Sequence, residues 1–359
     1  MTVCSETVPM FIVNYNGLES LGSTFLKVVD KAVEASTYVD NIKVILVDNG
    51  SKDGSADVVQ ERFWDTVTLL RLKFNLGHSG GVNVALKWYI ITAGCTPRKV
   101  FVMDNDYIIT NPEGLKEMLG YMEREIRTAA VQGVNLLPNG RVSDAGVLLT
   151  TFFNGRFRCG GFSVGECPEG YSYVSYTVSC MALYNLRIVL SKGDFLFNRH
   201  NIIRHDDVDL SLEMWSHGFT SAVIPATVGV HFVSSTRTRV SKDFIEYESK
   251  RGRTLLYRRA SSYLKASSLL IPYIREIPYM VARLAIYNYD IARIRTRAFL
   301  DALTMKVKPF SGPYEPLLIK PRMDSIFNLH RQLDKLSSLV VDRSTLMSSD
   351  KPFIINPRL

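Results

Sequence analysis

The feature that most constrains this chain is a repeated unit over its first 130 residues: a short apolar strand, a cluster of polar turn residues, then a helix-length stretch. Pro9–Val13, Lys43–Val47, Val67–Leu72 and Lys99–Met103 read as strands rich in branched residues. Helical patterns follow near Ser20–Ala35, Ser55–Phe63, Gly80–Thr92 and Asn111–Arg127. Strand–helix alternation with turn residues at each junction predicts βαβ units and an α/β fold with a mostly parallel central sheet. In such sheets ligands sit beyond the carboxyl ends of the strands, so the polar residues that follow each strand are the candidates for chemistry. From Val131 to Val233 the pattern shifts to Gly-rich turns and short β segments with one helix near Val208–His217, an extension of the same sheet. Three regions follow: a catalytic domain over 1–240, a basic amphipathic helical region over 241–310 and an extension with irregular stretches over 311–359.

Four strand-end clusters stand in series: Val13-Asn14-Tyr15-Asn16-Gly17, Val47-Asp48-Asn49-Gly50-Ser51, Asn75-Leu76-Gly77-His78-Ser79-Gly80-Gly81-Val82-Asn83, and Met103-Asp104-Asn105-Asp106. Asp48, after a buried strand, suits a carboxylate that accepts from a nucleobase N–H, or one that caps the following turn. The glycines of the third cluster let backbone approach an anion at a helix N-terminus. They also suit a plain tight turn, and His78 among them reads equally as a ligand or a surface residue. The fourth cluster is the most informative. Two carboxylates at i and i+2 after an apolar strand offer hard oxygen ligands to Mg²⁺ or Mn²⁺, and a cation there can bridge the phosphates of a nucleotide diphosphate.

The charge is unevenly placed. The chain carries a net +8, yet Arg237 to Pro309 holds 16 Lys and Arg against 6 Asp and Glu, and the rest is slightly acidic. That excess suits an anionic membrane surface, nucleic acid, polyphosphate, or simply a solvated helical face. Ile277, Val281, Leu284, Ile291 and Ile294 follow helical spacing, with Glu276, Arg283, Asp290 and Arg297 on another face. This amphipathic stretch lies either on a membrane or on the catalytic domain. No apolar run reaches the roughly 18 residues that span a bilayer. The five cysteines, Cys4, Cys95, Cys159, Cys167 and Cys180, form no CxxC pair, which argues against zinc. Their scatter and the lack of a leader pattern at the N-terminus read as reduced thiols in a cytoplasmic protein.

Taken together with His205-Asp206-Asp207-Val208-Asp209-Leu210, the four clusters make the region from Pro9 to Arg259 resemble the GT-A glycosyltransferases of the large inverting family 2, particularly the rhamnosyltransferase-like and galactofuranosyltransferase-like branches. The resemblance implies a nucleotide diphosphate sugar donor and a glycan or polyprenyl-phosphate-linked acceptor; the basic amphipathic C-terminal region would then hold the enzyme at the cytoplasmic face of a membrane. The resemblance also implies that Asn14, Tyr15, Asn16, Asp48, Asn49, Ser51 and Gly77 line the nucleotide site, with Asp104 near the ribose and the metal. Asp106 and a later strand-end histidine, His231, then complete a Mn²⁺ or Mg²⁺ site. An inverting transferase needs one carboxylate to take the acceptor hydroxyl proton. The resemblance places that base at Asp207, with Asp206 as its supporting acid, where relatives usually show Glu-Asp. Asp209 suits the first turn of the helix. Trp215 suits the core or an acceptor pocket. Arg251 and Arg253 suit either a pyrophosphate contact or an ordinary basic helix. A metal-dependent nucleotidyltransferase shares the acids on an α/β sheet, but it usually opens with a Gly-rich loop and a basic residue, where this chain has Asn14-Tyr15-Asn16-Gly17. A nucleic-acid-binding module fits the charge alone, since no recognised interleaving of basic and aromatic residues is present. No nucleic-acid partner is therefore expected.

Overall fold

The computed structural model describes residues 7–150, 153, 155–201, 203–233, 241–263, 281–282, 284, 289–319, 336–344 and 354–355. Its first half follows the expected alternation: β1 (Val8–Asn14), α1 (Gly17–Leu21), α2 (Ser23–Tyr38), β2 (Ile42–Asp48), α3 (Ser55–Arg62), β3 (Thr68–Arg71), α4 (Gly77–Ala93) and β4 (Lys99–Asp104). There follow β5 (Tyr107–Ile109), α5 (Glu113–Arg124), β6 (Thr128–Leu136), β7 (Val142–Asp144), β8 (Val147–Leu149), β9 (Gly155–Phe157), β10 (Ser172–Tyr173), β11 (Met181–Asn185), α6 (Leu186–Val189), α7 (Asp206–Ser216) and β12 (Thr220–His231). Helices α8 (Lys242–Arg259) and α9 (Tyr289–Thr304) come last, with the short strands β13 (Leu318–Ile319) and β14 (Ile354–Ile355).

The main sheet runs β10-β12-β6-β11-β4-β1-β2-β3. Its α/β class is as the sequence implies, but the sheet is mixed. β3, β2, β1 and β4 are parallel, whereas β11 is antiparallel to both β4 and β6. The chain thus enters β11 against β4 rather than continuing the parallel series. β1 is buried along its whole length and its residues alternate between two cores, as period-two geometry requires. Met10 and Ile12 pack with α2 and α5 on one side, and Phe11 and Val13 pack with α4 and α7 on the other. Burying a side chain of this size stabilises the fold by about 1.5–3 kcal/mol each.

Parallel register aligns the strand ends. Asn14 pairs with Asp48, and Val13 with Asp104, so the four polar clusters open on one edge of the sheet. β12 lies antiparallel to β5, with His231 opposite Tyr107. Gly229 makes that approach feasible: a Cβ there would stand 2.2 Å from the Ile108 carbonyl oxygen.

Helix α8 packs on α7 through Leu256, Tyr257, Val208 and Leu212, and it meets α9 through the Tyr247 hydroxyl and Asp301 (2.6 Å). Much of the amphipathic stretch, including Glu276, Ile277 and Arg283, lies outside the described residues. Among the described residues no helix is long and apolar enough to cross a membrane. The cysteines differ from expectation. Cys159 is disulfide-bonded to Cys167, Cys95 is also disulfide-bonded, and Cys180 is a buried free thiol. Cysteine usage therefore gives no support to a reducing compartment.

Candidate active site

The strand-end loops hold one another. Asn14 is fully buried; its amide nitrogen donates to Asp48 Oδ1 (3.3 Å), Ser51 Oγ (3.2 Å) and Ser55 Oγ (2.9 Å), and its oxygen accepts from Asn105 Nδ2 (2.7 Å). Asn16 takes a left-handed backbone (φ 51°), a conformation that asparagine tolerates well. Its N–H donates to Ser51 Oγ (2.9 Å) and its side-chain oxygen accepts from the Lys52 N–H (2.9 Å). Asn49 donates to Asn75 Oδ1 (3.1 Å) and to the Gly77 carbonyl (2.9 Å), and accepts from the Leu76 N–H (2.9 Å). Asn14 and Asn49 thus shape the rim through internal bonds, with Tyr15 half-buried beside them. Asp48 stands at 4% exposure at the level of this rim.

Asp104, Asp106 and His231 gather next to it, their ligand atoms all within 4.8 Å of one another. His231 Nε2 lies 3.3 Å from Asp106 Oδ1, and Asp106 is almost wholly buried. β4 and the turn after it deliver the two carboxylates, and β12 delivers the imidazole. Two carboxylate oxygens and one imidazole nitrogen at this spacing fit a divalent cation such as Mn²⁺ or Mg²⁺. Behind His231 lies a buried polar network in which Asp144 accepts from Gln132 Nε2 (2.8 Å) and Asn135 Nδ2 (3.0 Å).

The acidic start of α7 is bound to this cluster by a residue the sequence left undecided. His78 Nδ1 lies 2.7 Å from Asp206 Oδ2, and its Nε2 lies 3.5 Å from Asp104 Oδ1. Ser79 Oγ also donates to Asp206 Oδ2 (3.0 Å). Burial alone would lower the His78 pKa, but the carboxylate of Asp206, aided by Asp104 and Asp207, overrides it and raises the group to about 9. Burial works on Asp206 in the opposite sense, and there the His78 charge and the bonds from His78 and Ser79 prevail, so its carboxyl stays below the usual range. On Asp207 the His78 charge acts only weakly. Burial first, then the Asp206 carboxylate, push the Asp207 carboxyl up to about 7, against the pull of the Val208 and Ser179 backbone N–H groups. Two adjacent acids are thereby separated, one kept ionised and the other poised near neutrality.

The local backbone that aims them is unusual. Arg204 and His205 both adopt left-handed conformations (φ 64° and 61°), and neither is glycine. Helix α8 holds them there. The His205 ring nitrogen Nε2 bonds the Ser249 carbonyl (3.1 Å), Arg204 donates to Ser249 Oγ (3.0 Å), and Gly252 leaves room for the ring. Burial, and next Arg253, push His205 down to about 4, so Nε2–H is the donor of a neutral imidazole. Arg251 is buried against Glu248 and the His200 carbonyl (2.8 Å), which makes it a brace within this clamp. Trp215 is fully buried and donates to the Val174 carbonyl (3.1 Å), a core residue. Asp209 is ion-paired with Arg259.

A search of curated proteins found no match. Among solved structures, S. aureus TarS 1–349 aligns at 15% identity over 83% of this chain and 81% of that one, with a TM-score of 0.51. The mannosyltransferase PcManGT from Pyrobaculum calidifontis, solved with GDP-Man and Mn²⁺, aligns at 16% identity over 84% of this chain and 76% of that one, with a TM-score of 0.48. The model of Glycosyl transferase family 2 matches residues 10–167, the stretch that carries all four strand-end clusters. That stretch is similar to the family 2 glycosyltransferases, and the α/β fold is of the GT-A class.

Proposed function

We propose that this chain is a glycosyltransferase that moves a sugar from a nucleotide diphosphate sugar to a hydroxyl of a glycan or polyprenyl-phosphate-linked acceptor, with inversion and with Asp207 as general base. One observation carries the reading: a single imidazole, His78, spans the distance between the Asp104 carboxylate and the Asp206 carboxylate. Donor-side and acceptor-side acids thus share one site.

In this reading Asp48 accepts from the nucleobase, while Asn14, Asn16, Asn49 and Ser51 hold the loops that flank it. Tyr15 and Gly77 border the same pocket. Asp104, Asp106 and His231 hold Mn²⁺ or Mg²⁺, which when bound neutralises charge that grows on the diphosphate leaving group. Asp207 removes the acceptor hydroxyl proton as that oxygen bonds the anomeric carbon from the face opposite the phosphate. The sugar–phosphate bond breaks in the same step. Asp206 stays ionised under His78 and Ser79, and its charge keeps Asp207 basic enough to take the proton. The test is a panel of nucleotide sugars with Mn²⁺, with the anomeric configuration of the product read by NMR. One donor should be turned over with inversion. Retention, or no metal-dependent turnover of any donor, would sink the proposal.

A further inference from the structure

On the flank of α7 lies a cavity of about 760 Å³, set apart from the metal cluster. Its floor is an ion-pair network of two carboxylates and one guanidinium. Arg259 uses its whole guanidinium there, on Asp209, on Glu213 and on the Lys308 carbonyl (3.0 Å), and it lies over the Phe310 ring (4.5 Å). The rim is different. Lys192 and Arg199 enter from the segment between α6 and α7, and Lys306 and Lys308 from the segment after α9. All four are exposed, and among the described residues none forms an ion pair with a carboxylate. Asp194 is the acidic residue on the rim.

Four like charges that converge on a concave space repel one another unless an anion joins them. Two of them are already steadied by aromatic rings, Arg199 over Phe195 (5.2 Å) and Lys192 over Phe219 (5.9 Å). The basic excess of the C-terminal region is therefore partly gathered around a pocket. A pocket selects a discrete ligand, whereas a flat basic face suits an extended surface. Lysines and an arginine at several angles suit the oxygens of a phosphate or diphosphate. The position is informative too. Asp209 lies within one helical turn of Asp206, and Phe197 lines the cavity while its ring stands 5.5 Å from that of His78.

We propose that this cavity is a second anion site, which binds a phosphate, pyrophosphate or phosphodiester group beside the acceptor end of the active site. Two sources offer that chemistry: the phosphate carried by the acceptor, or a free polyphosphate. The first source rests on the transfer reading above; the site itself does not.

The probe is inorganic pyrophosphate, titrated calorimetrically into the full chain in the presence of EDTA so that the metal cluster cannot hold it. Saturable binding is expected. The double variants Lys306→Gln/Lys308→Gln and Lys192→Gln/Arg199→Gln should each weaken it by about tenfold or more, with unchanged melting temperature because the side chains are exposed. Asp106→Ala should leave it unchanged. If the variants raise KM for a pyrophosphate-linked acceptor but not for a neutral glycoside, the acceptor is the source. If pyrophosphate instead alters parental kcat and the variants are insensitive to it, the source is a free anion. The proposal is overturned if the parent shows no saturable binding, if the double variants bind as the parent does, or if single-stranded RNA occupies the four basic residues and pyrophosphate fails to displace it. No donor enters the titration, so its failure leaves the transferase reading standing.

Discussion

His78 bonds Asp206 through Nδ1 at 2.7 Å and turns Nε2 toward Asp104 at 3.5 Å, so one ring keeps the first residue of α7 in register with the end of β4. The contact joins positions 128 apart in sequence. It gives Asp206 and Asp207 different protonation behaviour, although they are neighbours in the chain.

Replacing that ring tests its role as a positioning residue. His78→Gln should lower kcat by about 10-fold to 100-fold, the usual cost of losing an outer-shell partner, with donor KM changed far less. The pH profile should move as well, because Asp206 would lose the charge that keeps it ionised. Steady-state kinetics across pH would show this. Parental kcat with an unshifted profile would mean that the imidazole only fills space.

Asp207 is held up to about 7 by burial and by Asp206. As the proposed base it acts in its ionised form, so activity should fall as pH drops through that value. Below about pH 7, kcat/KM should decline by about tenfold per pH unit, with a plateau above it. Asp207→Asn should lose about 10²-fold to 10⁴-fold in rate while donor binding survives. A variant that transfers at near the parental rate would move the base elsewhere.

Donor binding should depend on the cation cluster. Asp106→Ala or His231→Ala should abolish Mn²⁺-dependent donor binding measured by calorimetry, and EDTA should do the same to the parent. Melting temperature separates this from unfolding, since Asp106 is nearly buried. Donor affinity indifferent to both EDTA and Asp106→Ala would refute the metal assignment.

Gly252 offers a test of the clamp on α7. A Cβ at this position would stand 2.7 Å from His205 Cδ2. Gly252→Ala should therefore destabilise the fold by about 1–3 kcal/mol and lower kcat more than it weakens donor binding. Thermal melting and donor titration together would check it. An unchanged melting temperature with parental turnover would show that the ring yields freely.

What the sequence reveals here follows from the range of each interaction. The strands β1, β2 and β4 and their polar ends are legible because alternation and turn residues are local signals. So is the pair Asp104 and Asp106. His78 is not legible, because its meaning depends on α7 arriving opposite the β3–α4 loop. The antiparallel insertion of β11 between β4 and β6 is likewise a matter of topology. A short branched segment reads the same in either direction. Asn14 and Asn49 sit at predicted positions, yet their amides are spent on neighbouring loops, which spacing along the chain cannot disclose. The bond between Cys159 and Cys167 was hidden for a similar reason: a pair eight residues apart carries no motif, and a turn must bring the two sulfurs together.

The left-handed pair at Arg204 and His205, fastened by Ser249, divides the molecule's inheritance. The proposed donor-side residues, His231 apart, lie before residue 107, while the backbone that carries the proposed base is fastened by a helix that begins at Lys242. In the transfer reading proposed above, substitutions in that helix should therefore alter acceptor use while donor affinity stays at the parental value.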